Sequence, residues 1–274
     1  MRNIIILRRV VCGILQEAAG ASKITDLIGR IQEINAQIIQ FYTRSAAEEG
    51  EDLSSIEIPR LGINVDVLPS EVGGSANVSF AVSGITYSGD LEPSAVSTIT
   101  RSPEASKLGS LLSVELPWGQ IYIGQNDHNP CLNAWNVAQT FPTSSGWGPI
   151  LYDIAIEVAT QEAGGLMSDR EEVSDDARAV WDKYDTARGD VEKVQMDLSD
   201  DDIHNWMAED EDQDPLWHLT PQQEDDCTQW SAIQDREGGT DWHVSPLSRL
   251  YRKRPTTMSA LRSQGLLFTG NLTQ

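Results

Sequence analysis

Apolar residues recur at helical spacing through the first fifty positions. Ile4, Leu7, Val11, Ile14 and Ala18 lie three or four apart. After a polar break at Gly20-Ala21-Ser22 the spacing resumes with Ile24, Leu27, Ile31, Ile34, Ile38 and Phe41. One apolar seam on a helix from about Ser22 to Glu48 follows, with Ser22 as its cap. The seam is short for an independent coiled coil. Two readings stand: the segment packs on a neighbouring core, or it is an arm that meets another chain. Glu48-Glu49-Gly50-Glu51-Asp52 reads as the linker that ends it.

From Ser55 to Phe141 the period changes to two. Ile63, Val65 and Val67 alternate with polar residues, as do Val78, Phe80 and Val82, followed by Ile85 and Tyr87. This predicts antiparallel strands joined by turns. Leu112 to Leu116 and Ile121 to Ile123 flank Pro117-Trp118-Gly119 and predict a hairpin. Asn133 to Thr140 predicts the last strand of the series.

Helices and strands then alternate. A helix is expected from about Pro149 to Gln161, with Leu151, Ile154, Ala155 and Val158 inward and Gly164-Gly165 as its stop. Leu166-Met167 predicts a short strand. Ser174 caps a second helix, with Ala177, Val180, Trp181 and Tyr184 on its inner face. Val191, Val194 and Met196 predict a further strand. Beyond Asp197 the pattern fades, with short helices expected at Ser245 to Tyr251 and Thr257 to Gln264. The division is a helical arm (1–50), an α+β core (51–198) and an acidic, tryptophan-bearing wrapping region with a basic tail (199–274).

Charge narrows the function. The formal net charge is −22, which repels phosphate and argues against general nucleic-acid binding. It is uneven: Asp153 to Asp241 holds 27 acids against 6 bases. From Trp242 onward come Arg249, Arg252, Lys253, Arg254 and Arg262, with no acid. Either this tail folds back on the acidic middle, or it docks on a partner or a neighbouring subunit. No run spans a bilayer. Arg8 and Arg9 interrupt the apolar start, so it does not read as a secretory signal, and the expected location is cytoplasmic. Cys12, Cys131 and Cys227 suit free thiols.

The stretch Thr143 to Ala159, TSSGWGPILYDIAIEVA, carries the chemistry. Strands, a Gly-x-Gly turn, a helix, a strand and a second helix, over about Leu112 to Met196, resemble the GNAT superfamily of N-acetyltransferases. The resemblance implies a GNAT-like mixed sheet with flanking helices. It also implies acetyl-CoA, with its pyrophosphate on the amides of Ser145, Gly146, Trp147, Gly148 and Pro149's turn at a helix N-terminus. Pro149 fits the first helical turn. Thr143 stands where Gln or Arg is usual, and Asp153 and Glu157 follow with no positive side chain near, so the anion site is expected to depend on amides alone. In the second helix Trp181 falls where the family's acid tyrosine belongs, and an indole supplies no proton at neutral pH. Tyr184 is then the candidate acid, and Asp127 or His128 the candidate base.

The expected activity is acetyl transfer from acetyl-CoA to an amine. The alternative is a non-catalytic structural or assembly protein of a tailed-phage virion. LRRVVCGILQEAAG is similar to the basic amphipathic starts of some tailed-phage proteins. That alternative implies homo-oligomers or virion partners meeting the N-terminal helices and basic tail, in the host cytoplasm or the particle. Asp197 to Asp202 begins like a calcium loop, but Asp202 replaces the turn glycine and Ala208 the bidentate acid. His204, His218, Cys227 and His243 match no zinc spacing, so no metal site is expected.

Overall fold

The computed structural model describes residues 24–68, 74–83, 103–125, 133–169, 173–196 and 245–269. The calcium-like loop, the four zinc-site candidates, Asp127, His128 and the first helical segment lie outside them. The architecture is α+β: a curled, mixed, eight-stranded sheet with five helices.

Helix α1 (Ile24–Glu49) leads into β1 (Leu61–Leu68) and β2 (Ser75–Val82). After α2 (Pro103–Leu112) come β3 (Gln120–Gln125) and β4 (Trp135–Phe141). Helix α3 (Gly148–Glu162), β5 (Leu166–Met167), α4 (Asp175–Ala187) and β6 (Val191–Gln195) follow. The C-terminal part supplies β7 (Arg249–Lys253), α5 (Thr256–Ser263) and β8 (Leu267–Thr269). The strand order is β6-β7-β5-β4-β3-β2-β1-β8. Strands β1 to β4 pair antiparallel, β4 with β5 parallel, and β7 antiparallel to both β5 and β6. Strand β8 runs parallel to β1 at the far edge.

The alternation seen in sequence sets the faces. Ile63, Val65 and Val67, with Val78, Phe80, Ile121, Ile123 and Val137, are buried in the main core with α1 and α3. Helix α3 is the central element. Every residue from Ile150 to Ala159 is buried, so it is enclosed on all sides rather than on one stripe. Leu27, Ile31 and Ile38 of α1 are fully buried in the same core, which selects the packing reading of its seam. Ser174 caps α4 as expected, its Oγ accepting from the Ala177 amide at 3.3 Å.

Three expectations change. Leu112 ends a helix and residues 113–119 form a loop, so the hairpin around Pro117 is absent. Ile121 to Ile123 pair instead with β2 and β4. Ser245 to Tyr251 is not a helix: a single 3-10 turn at Pro246–Ser248 feeds β7. The stretch 245–269 is therefore not irregular wrapping, since β7 and β8 are strands of the sheet itself. Alternating Leu250 and Arg252 against Tyr251 and Lys253 is a strand pattern hidden by the high charge around it.

Candidate functional site

Strands β4 and β5 meet only at their starts. Trp135 pairs with Leu166 and Asn136 with Met167, and β5 then ends. Strand β4 continues from Val137 to Phe141 with no strand beside it on that side among the described residues. The register between β3 and β4 also slips here. Tyr122 faces Gln139 and Ile123 faces Val137, leaving Ala138 as the extra residue of a bulge. A parallel pair that opens beyond its first two rungs, beside a bulge, exposes backbone polar groups along one strand edge.

The turn from β4 into α3 is held from behind. The Ser144 amide donates to the Trp118 carbonyl at 2.8 Å, and the Ser144 hydroxyl accepts from the Trp118 amide at 3.0 Å. Gly119 passes so close that a Cβ there would meet Thr143 at 2.6 Å. Gly146 has φ +79°, the left-handed region that side chains disfavour, so the turn needs glycine there. Trp147 is the N-cap and makes no side-chain cap bond. Its ring is buried, edge-on to Phe80 at 5.5 Å.

The amides of Gly146 and Gly148 have no acceptor among the described residues, and a Cβ built on either would meet nothing within 4 Å. Free amides, open space and the positive end of a 15-residue helix coincide.

A cation also stands beside this turn. The Arg30 guanidinium of α1 lies over the Trp147 ring, 4.3 Å from its centroid. The expectation that no positive side chain is near is corrected: sequence distance hid an arginine 117 positions earlier. The acids of α3 are likewise neutralised. Lys253 Nζ pairs with Asp153 Oδ2 at 2.9 Å and more closely with Glu157 Oε1, all three side chains sealed from solvent. Arg188 adds a pair to Asp153 Oδ1 at 2.7 Å. Glu157 also accepts the amides of Thr257 and Met258, both at 2.7 Å, and so caps α5. The basic tail folds back on the acidic middle: Arg249 pairs with Asp185 at 2.9 Å and Arg252 with Glu192 at 3.7 Å.

The phenols lie one layer in. Tyr184 is fully enclosed, its one hydroxyl proton shared between Asp153 Oδ1 at 3.1 Å and the Pro149 carbonyl at 3.2 Å. Burial and the Asp153 carboxylate push it well above its usual range, so it stays protonated. Trp181 is a core residue, stacked on Tyr251 at 5.1 Å and edge-on to Tyr152 at 5.5 Å. Tyr152 of α3 bonds the Thr140 side chain on the open part of β4, and burial pushes its phenol up to about 12. Sequence reading missed Arg30, Arg188, Lys253 and Tyr152 in this site, because each is brought in by tertiary packing.

Comparison of the chain with protein-family models, with curated proteins and with solved structures found no significant match. Among the described residues no group of three or more His, Cys, Asp or Glu is placed to hold a metal. No helix among them is long and apolar enough to cross a membrane.

Proposed function

We propose that the chain has a GNAT-like core that binds acetyl-CoA and transfers its acetyl group to an amine. One observation carries the reading: β4 and β5 run parallel and pair over only two rungs beside the Ala138 bulge, and a glycine turn with free amides leads from β4 into α3. Such an opening accepts an extended amide-bearing arm as a strand accepts a neighbour. The turn accepts the diphosphate at its head. Arg30 supplies the positive side chain that Thr143 does not.

Acetyl-CoA supplies an activated acyl carbon. The neutral amine nitrogen attacks that carbon, a C–N bond forms and the C–S bond breaks. The amine gives up one proton and the departing thiolate gains one. Tyr184 is the donor expected from sequence. Its bond to Asp153 suits it to hold α4 against α3, whereas the Tyr152 hydroxyl reaches the open part of β4 through Thr140. We assign the donor role to Tyr152 and a positioning role to Tyr184.

A second reading draws on Trp181, which fills the tyrosine position with a side chain that donates no such proton. It is a non-catalytic structural or assembly protein of a tailed-phage particle. Thermal-shift titration with acetyl-CoA separates the two, because a ligand that binds only the folded state raises the melting temperature. The transferase reading expects a rise for the native chain and none for Gly148→Glu, whose side chain would carry negative charge into the turn. A flat response of the native chain at millimolar acetyl-CoA rejects it.

A further inference from the structure

The face of β1 to β4 turned away from α1 and α3 carries a row of polar side chains. Register sets Asp66 opposite Asn77, Asn77 opposite Tyr122, and Tyr122 opposite Gln139. The row crosses four strands and ends at Gln139, the residue after the Ala138 bulge. It therefore leads to the stretch of β4 where the sheet opens.

Hydrogen-bond acceptors go unused along it. Asp66 Oδ2 accepts from Asn64 Nδ2 at 2.5 Å, while Asp66 Oδ1 has no donor among the described residues. Asn77 Oδ1, next to it, is shielded from solvent and has no donor. A shielded carbonyl without a donor is costly unless something supplies one. Tyr122 is raised by burial and then by Asp66, so its neutral hydroxyl stays available to accept or donate. One carboxylate oxygen, one amide oxygen and one phenol in a row suit a ligand that is cationic and donates several hydrogen bonds.

We propose that this row binds a polyamine acceptor through one of its protonated amines, with Asp66 and Asn77 holding that ammonium, while a second, neutral amine of the same molecule is the one that reacts. The proposal deepens the transferase reading and rests on it for the reaction, but not for the binding. An acceptor held along the row lies on the face opposite α3 and reaches β4 at Gln139.

Spermidine is the probe, titrated into the full chain by calorimetry at low salt. With −22 of net charge, some attraction is expected anywhere on the surface. Asp66→Asn is therefore matched by Glu51→Gln, which removes one exposed charge elsewhere, while Asn77→Leu changes no charge. The expected result is about tenfold weaker binding for Asp66→Asn and for Asn77→Leu, no change for Glu51→Gln, and recovery in Asp66→Glu. Equal loss in Asp66→Asn and Glu51→Gln, or no binding by the native chain, overturns the site. Melting temperatures with acetyl-CoA, taken on the same variants, keep the two proposals apart. A retained cofactor shift with spermidine binding indifferent to Asp66 removes the amine site alone. Asp66-dependent spermidine binding with no cofactor shift removes the transferase reading alone.

Discussion

Asn35 of α1 makes two hydrogen bonds to a single residue of β1, Leu61. Its Nδ2 donates to the Leu61 carbonyl at 2.9 Å, and its Oδ1 accepts from the Leu61 amide at 2.7 Å. Asn35 is buried and falls among the inner positions of the seam, between Ile31 and Ile38. A polar residue there looks like an interruption of the apolar stripe. It is the clamp that fixes where β1 begins against the helix. Asn35→Leu keeps the volume and leaves both Leu61 groups buried without partners, which costs about 2–4 kcal/mol. Urea unfolding is the measurement. A midpoint unchanged from the native chain would mean that α1 is an appendage after all.

The buried Lys253 carries a larger burden than the other tail cations. Its Nζ faces Asp153, Glu157, Thr256 and Thr257 with 1% of its side chain exposed. Lys253→Met removes one positive charge and leaves Glu157 buried without a cation, an expected loss of about 3–5 kcal/mol. Arg252→Ala removes a half-exposed pair with Glu192 at 3.7 Å and a hydrogen bond to the Gly164 carbonyl at 2.6 Å, and should cost less, about 1–3 kcal/mol. The two variants carry the same charge change, so a difference between their denaturation midpoints reports burial and not net charge.

These two residues also show what was legible in advance. The helix of α1, the alternation of β1 and β2, helix α3 and the Ser174 cap were readable because each rests on local spacing or a local hydrogen bond. The role of Asn35 was not, since its partner is 26 positions away. Strand β7 was misread as helix because LSRLYRKR is short and charge-dense, and its burial comes from α3 and its neighbouring strands. At the candidate site the glycines and Pro149 were legible as a turn. Arg30 was not, because nothing in the spacing of a helix states which loop its flank will meet.

Arg30 gives a direct test of the turn as an anion site. Its guanidinium is held over the ring of Trp147, the residue between Gly146 and Gly148. Arg30→Glu places a negative charge there and should weaken acetyl-CoA binding by roughly tenfold or more, about 1.4 kcal/mol per tenfold. Arg44→Glu, an exposed arginine on the same helix, makes the same charge change away from the turn. The pair is compared by thermal shift and again at 0.5 M salt, where the Arg30 effect should shrink. Equal weakening by both variants would point to general repulsion and would remove Arg30 from the site.

Alkaline pH tests the phenol cluster between α3, α4 and β7. Tyr152 is raised to about 12, Tyr251 is raised further, and Tyr184 is raised well above its usual range, all chiefly by burial. Below the ordinary phenol value of 10, folded and unfolded chains both keep these protons and the stabilisation is complete. Above it the unfolded chain releases protons that the folded chain retains, so stability must fall as pH rises. Each such group steepens the fall by about 1.4 kcal/mol per pH unit until its folded value is reached. Melting temperatures between pH 9 and 11.5 should therefore drop, with the phenolate absorbance of these three of the six tyrosines appearing as the protein unfolds. Tyr184→Phe removes one of the three groups, and so its alkaline limb should be shallower even though its loss of the Asp153 bond lowers stability at every pH. If the limb keeps the native slope, Tyr184 is not titrating from within the enclosed layer, and its assigned task of pinning α4 to the first turn of α3 fails with it.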